Sequence, residues 1–272
     1  MKFTTSDHIK LDFTDEGDGQ PVLLLSGIGS YREIWAPTVQ FLLNAGYRVI
    51  NLDARNQGAS QRTLKGRRMS RHALDVKELL DWLEVHDVVG IGNSMGASTL
   101  FAYASLFDSQ RFSAFVDVDQ SPKMISDETW SFGFKNLTWE NFPAVLKLPM
   151  GSATVTPVSE EVRTSVQAAR QARPYDTEQN YACLVDHAFQ DWRDVLLRLP
   201  IPLLVIAGEK SPYFNPQFAA ATAQLAPQGQ AQIVKAAGHI VMAEQPAQFN
   251  EALSTFLQDL DKKQTHRSVP VM

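Results

Sequence analysis

The chain is poor in several things, and each shortage removes a class of function. Cys183 is the only cysteine in 272 residues, so no internal disulfide can form and no Cys₂ or Cys₄ metal site can be assembled. A lone thiol is suited to a reducing compartment. Basic residues are not in excess: 25 Lys and Arg face 30 Asp and Glu, for a net charge of −5. That balance supplies no broad positive field for phosphate backbones or anionic lipid, so neither nucleic acid nor membrane is expected as a partner. No segment approaches the ~20 consecutive apolar residues of a membrane span. The N-terminus, Met1-Lys2-Phe3-Thr4-Thr5-Ser6-Asp7-His8, reaches an acid and an imidazole before any apolar run and has no secretory h-region. The expectation is a cytoplasmic protein acting on a small molecule.

Cofactor signatures are also missing. Gly27-Ile28-Gly29 lacks the third glycine of a dinucleotide fingerprint, and no G-x-x-x-x-G-K-[ST] phosphate loop occurs. No H-E-x-x-H or paired His/Cys spacing points to a metal. Neither a cofactor nor a metal is expected.

What the chain does contain is enough apolar material for one large core. Hydrophobic residues make up 44%, charged residues 20%, with 15 Gly and 14 Pro, values foreign to collagen, coiled coil or disorder. At this length roughly three quarters of the unfolded surface is removed on folding, without staples. Val22–Leu25, Val49–Leu52, Val88–Ile91, Phe115–Val118 and Leu203–Ala207 are largely apolar runs, broken only at Asn51 and Asp117 apart from glycine, and each closed by Gly, Asp, Asn or Ser. Strands buried on both faces read this way, and helices between them imply a mostly parallel twisted sheet of the α/β class. Ile9, Leu11 and Phe13 alternate with polar neighbours as a half-exposed strand does. Ala73, Val76, Leu80 and Leu83 fall at helical spacing.

From about Ser121 to Leu199 the strand and helix rhythm stops. Trp130, Phe132, Phe134, Trp139, Phe142 and Leu146 stand there among polar residues and turn formers. The stretch is too long for an idle loop. It is read as an inserted helical cap, 121–199, on a core made of 1–120 and 200–272. The charged tail after Asp261, Lys262–Arg267, is expected to fray.

The chemistry centres on Gly92-Asn93-Ser94-Met95-Gly96, placed between the buried run ending at Ile91 and the helix-compatible segment Ala97–Phe107. A strand-to-helix turn this tight lifts its serine into a strained conformation, and glycines two residues to either side avoid clashes that a Cβ would create. A serine hydroxyl is a weak nucleophile at neutral pH and needs a base within about 3 Å.

With this turn, four blocks of the sequence, in order, resemble the α/β-hydrolase superfamily along nearly the whole chain. Leu23-Leu24-Leu25-Ser26-Gly27-Ile28-Gly29 is similar to its oxyanion loop. Asp53-Ala54-Arg55-Asn56-Gln57-Gly58-Ala59-Ser60 is similar to its D-x-R-G-x-G-x-S turn, and Gly92–Gly96 to its nucleophile elbow. Gly238-His239-Ile240-Val241-Met242-Ala243-Glu244-Gln245-Pro246 matches its G-H-x-x-x-x-E-x-P block. The resemblance implies a serine hydrolase with Ser94 as nucleophile, His239 as base, and an oxyanion hole formed by the backbone N–H groups of Ile28 and Met95. Ser26 stands where many relatives carry histidine.

The acid departs from the family pattern. Most relatives place it three residues beyond the glycine that follows the strand after the cap; here Gly208-Glu209-Lys210-Ser211 puts a serine there. A carboxylate must hold the tautomer of the base and stabilise its imidazolium. Asp119, at the exit of the strand after the elbow helix, is the first candidate, in a position that some superfamily members use. Glu209 is the alternative; Asp117 shares the face of Asp119 by the two-residue period but lies deeper. Trp35, Trp130, Phe134 and Trp139 are expected to line an apolar substrate pocket. The expected reaction is cleavage of a carboxylic ester or lactone of a small to medium apolar or aromatic substrate through an acyl-enzyme. The same fold also hosts C–C bond hydrolases, perhydrolases, acyltransferases and cofactor-free dioxygenases, and a non-catalytic receptor stays open.

Overall fold

The computed structural model describes the backbone of residues 1–267 and the side chains of residues 1–262. Eight strands form one sheet: β1 (Lys2–Thr4), β2 (Lys10–Glu16), β3 (Pro21–Leu25), β4 (Arg48–Asp53), β5 (Val88–Asn93), β6 (Phe112–Val118), β7 (Leu203–Gly208) and β8 (Gly229–Val234). Their order is β1-β2-β4-β3-β5-β6-β7-β8. From β4 to β8 all pairs are parallel, while β1 and β2 run antiparallel at one edge. The five largely apolar runs all fall in parallel strands, where both faces are covered.

Each strand splits its side chains between two cores. Leu23 and Leu25 of β3 join the core beneath α2 (Met69–Trp82), α3 (Met95–Phe107) and a later helix over Phe218–Leu225, while Val22 and Leu24 face the opposite core. That second core is closed by α1 (Ala36–Asn44) and by the C-terminal helices over Val241–Glu244 and Pro246–Arg267. The period-2 alternation of a strand produces this division from an unbroken apolar run. The last helix continues through Lys262–Arg267, where fraying was expected; residues 268–272 lie outside the described residues.

Between β6 and β7 no residue joins the sheet. α-Helix is confined to the second half of this segment, α4 (Glu160–Ala172), α5 (Thr177–Phe189) and α6 (Arg193–Leu196), with a single 3₁₀ turn at Ala144–Lys147 before them. The first half is turns and isolated bridges, such as Lys123 with Asp191 and Ser126 with Thr138. After β7 come α7 (Phe218–Leu225), α8 (Val241–Glu244) and α9 (Pro246–Arg267). Among the described residues no helix is long and apolar enough to cross a membrane.

Candidate active site

After β3 the chain adds β4 on one side and then β5 on the other, so the carboxyl ends of β3 and β5 flank the crevice where α/β sheets place their ligands. Ser94 sits there, alone between β5 and α3, with φ 54° and ψ −124°. For a residue with a side chain this is a strained conformation, held because its surroundings leave no alternative. A Cβ on Gly92 would lie 2.3 Å from the Ala97 nitrogen, and one on Gly96 would lie 2.2 Å from the Leu25 carbonyl oxygen. Only glycine lets β5, α3 and β3 approach this closely.

Asn93 contributes something the sequence did not reveal. Its side-chain Nδ2 donates to the Val118 carbonyl at 2.9 Å and to the His239 carbonyl at 3.0 Å. The residue preceding Ser94 thereby ties together the elbow, the end of β6 and the histidine loop. Ser94 adds its own backbone bond, N–H to the Val118 carbonyl at 3.0 Å.

The acid that meets His239 is Asp119. Its Oδ2 lies 2.7 Å from His239 Nδ1, and both side chains are buried. Asp119 has φ 56°, a left-handed turn that ends β6, and aspartate accepts this conformation more readily than most residues. Its carboxylate is fully engaged: Oδ1 accepts from the Gly208 N–H at 2.9 Å, and Oδ2 accepts from Ser211 Oγ at 2.6 Å. Ser211, the residue standing where most relatives carry an acid, thus braces Asp119 from the turn that follows β7. Glu209 is exposed and accepts from the Ala236 N–H at 2.9 Å; it does not reach His239. The imidazole is flanked by Tyr213, with ring centroids 4.6 Å apart, and by Phe214 at 6.1 Å. An imidazole held on one nitrogen by a buried carboxylate can take a proton with the other.

The loop after β3 closes the site from the opposite side. A Cβ on Gly27 would lie 2.9 Å from Ser94 Cβ, so this backbone rests against the serine. The Ile28 and Met95 amides donate to no acceptor among the described residues. The Gly29 N–H donates to the Gln57 side chain. Trp35, expected in a pocket wall, is instead fully buried: its indole N–H donates to Ser26 Oγ at 3.1 Å and its ring packs on Phe249 at 6.2 Å. A buried indole needs an acceptor, and Ser26 supplies it, so this pair braces the loop that lacks the family's histidine.

A cavity of about 730 Å³ opens over these groups. Asn93, Ser94 and His239 line it together with Ile28, Met124 and Phe134. Phe134 is the one expected pocket aromatic found there. Trp130 turns away, its indole N–H donating to Ser121 Oγ at 2.9 Å while Arg193 lies over its ring at 5.6 Å. Trp139 is 47% exposed, on the outside of the insertion against Phe142 and Phe189. Both were expected in the pocket from proximity in sequence, but their polar N–H groups found partners elsewhere.

A sequence model of the alpha/beta hydrolase fold matches residues 20–246. The chain belongs to the alpha/beta hydrolase fold family. Similar proteins carry different names. The non-heme chloroperoxidase of Streptomyces lividans is 28% identical over 220 residues, covering 75% of this chain and 80% of its own. The bifunctional esterase/perhydrolase DCH of Acinetobacter calcoaceticus is 24% identical over 224 residues, covering 76% of this chain and 80% of its own. Among solved structures, the esterase EaEST from Exiguobacterium antarcticum matches with a TM-score of 0.82, over 95% of this chain and 99% of its own, at 20% identity.

One acid of this alpha/beta hydrolase works against the fold. Asp117 is buried in β6 and accepts from the Gln120 N–H at 3.1 Å, while its Oδ2 has no partner. Burial, and secondarily the charge of Asp119, push its carboxyl well above the usual carboxylate range. A group whose folded pKa is raised contributes its full stability below its unfolded pKa and loses it as pH rises toward the folded one. Asp117→Asn is therefore expected to gain on the wild type as pH rises above about 4, by up to about 1.4 kcal/mol per pH unit until the folded acid ionises. Urea denaturation of both proteins at pH 5 and pH 8 checks this. A difference independent of pH would show that Asp117 does not hold its proton.

Proposed function

We propose that this alpha/beta hydrolase cleaves carboxylic esters or lactones of small to medium apolar or aromatic acids through an acyl-enzyme on Ser94. The observation that carries this reading is the 2.7 Å contact between His239 Nδ1 and Asp119 Oδ2, with the imidazole lining the same cavity as Ser94 on its strained turn.

Ser94 Oγ attacks the substrate carbonyl while His239 Nε2 takes its proton, and Asp119 stabilises the resulting imidazolium. The negative charge that develops on the carbonyl oxygen is met by the Ile28 and Met95 amides, whose lack of protein acceptors supports that role. His239 then gives its proton to the departing alcohol oxygen. Water, deprotonated by the same imidazole, attacks the acyl-enzyme and releases the acid. Tyr213 and Phe214 against His239 keep bulk water from that ring. Residues 121–199 act as the cap over this chemistry, supported by cavity-lining residues from that segment such as Met124, Phe134 and Val162. The buried Cys183 fits a cytoplasmic setting.

A fluorophosphonate tests the reading. The expected result is a single adduct, mapped by peptide mass spectrometry to Ser94. A folded protein that takes no adduct there would be a receptor rather than a serine hydrolase. Turnover of graded p-nitrophenyl esters and lactones then ranks the acyl group.

The perhydrolase and chloroperoxidase relatives favour a second use of the same intermediate. Hydrogen peroxide in place of water would release a peracid from the acyl-enzyme, with no change in the groups involved. Peracid formation from an acetate ester and peroxide, lost when Ser94 is blocked, is the measurement that detects it.

A further inference from the structure

α5 brings one more titratable ring to the cavity. His187, in the last turn of α5, is 2% exposed and lines the cavity with Ser94 and His239. Its Nδ1 is closed off from solvent without a partner, whereas Nε2 is not closed off and likewise has no hydrogen bond among the described residues, so Nε2 is the nitrogen a ligand in the cavity would meet. Met124, Phe134, Leu184 and Phe214 line the same cavity, as do the polar Arg163, Gln167 and Arg170. Two phenols in that lining are already engaged: Tyr213 donates its hydroxyl to the Gly151 carbonyl at 3.3 Å and Tyr31 to the Arg173 carbonyl at 2.9 Å. Burial first, and the charge of His239 second, lower the His187 pKa to about 4. The ring is therefore neutral at ordinary pH and presents one N–H donor and one nitrogen acceptor.

A buried polar group without a partner is costly, and such groups in native proteins call for an explanation. In a substrate cavity the explanation at hand is a ligand atom. We infer that His187 is a specificity-determining residue, which hydrogen-bonds an uncharged oxygen, a hydroxyl or a ketone, carried by the substrate away from the bond that is cleaved. A neutral ring with a donor and an acceptor suits an uncharged oxygen and penalises a bare hydrocarbon, which leaves the ring nitrogen unpaired. The favoured substrates are then hydroxy- or oxo-substituted esters or lactones. This inference rests on Ser94 as the nucleophile.

The test compares p-nitrophenyl hexanoate with its 3-hydroxy, 3-oxo, 5-hydroxy and 5-oxo derivatives on the wild type, His187→Leu and His187→Gln, each first checked for fluorophosphonate labelling at Ser94. The wild type is expected to favour at least one oxygenated ester over the parent by about tenfold in kcat/KM. His187→Leu should bring that ratio to within about twofold while still labelling at Ser94, the mark of a lost contact rather than a damaged fold. His187→Gln, which keeps a donor and an acceptor, should retain part of the preference. If His187→Leu does not label, the glutamine variant decides by whether the ratio falls. A wild type with no preference, or a preference that survives in the leucine variant, overturns the inference while leaving the nucleophile intact. A wild type that neither labels nor turns over any ester sinks both.

Discussion

Asp119→Asn is expected to lower kcat by about four orders of magnitude, with KM for small esters little changed. The reason lies in how the carboxylate is shared. Oδ1 accepts from a backbone donor, the Gly208 N–H at 2.9 Å, while Oδ2 accepts from Ser211 Oγ and faces His239 Nδ1. An asparagine keeps its single carbonyl oxygen on Gly208, because that backbone N–H has no other acceptor, and its NH₂ group then points at His239. Nδ1 must become the acceptor, the proton moves to Nε2, and the imidazole can no longer take a proton from Ser94. Glu209→Gln, altering an exposed group bonded to Ala236, should leave kcat within about twofold. Steady-state kinetics on one p-nitrophenyl ester, with Ser94→Ala as the background, decides between the two acids. An active Asp119→Asn beside a dead Glu209→Gln would overturn the assignment.

Asp119 was legible because a carboxylate ends an apolar run, Phe115–Val118, at a sheet edge. Its bracing by Ser211 was not. Read in sequence, Ser211 marks a missing acid; in space it is a donor to Asp119, the residue after β6. Most of the parallel strands stood out for the same reason they are buried, as largely apolar runs. β8 did not, because Gly229–Val234 is an edge strand whose side chains are largely exposed and whose sequence, Gly-Gln-Ala-Gln-Ile-Val, carries no such run. The tryptophans misled for a physical reason. Trp35 and Trp130 each combine a large apolar body with one N–H, and a buried acceptor, Ser26 or Ser121, decided where each ring went. Nothing in a linear pattern shows where such an acceptor will lie. The role of Asn93 in holding the His239 carbonyl was equally hidden, since 146 positions separate the two.

The family block around His239 reads differently once its glutamate is placed. Glu244 is buried, and its carboxylate gathers four backbone N–H groups: Oε2 accepts from Gly238 at 3.0 Å, Val155 at 2.8 Å and Thr156 at 2.8 Å, and Oε1 from Ile240 at 3.1 Å. Two of these donors flank His239 and two belong to the insertion, which also accepts the His239 N–H on the Ala153 carbonyl at 2.9 Å. One side chain thus fixes the base and fastens the Val155–Thr156 segment to it. Glu244→Ala strands all four donors in a site with little access to water, and each unmet buried group costs roughly 1–3 kcal/mol before relaxation. The expected loss is about 3–5 kcal/mol of unfolding free energy, with kcat reduced as well because the His239 loop is released. Glu244→Gln should fall between, since an amide oxygen can replace Oε2 but its NH₂ meets the Ile240 N–H donor to donor. Urea melts combined with ester kinetics on the two variants measure both effects. An alanine variant as stable as the wild type would show that the four bonds do not hold the loop and the insertion together.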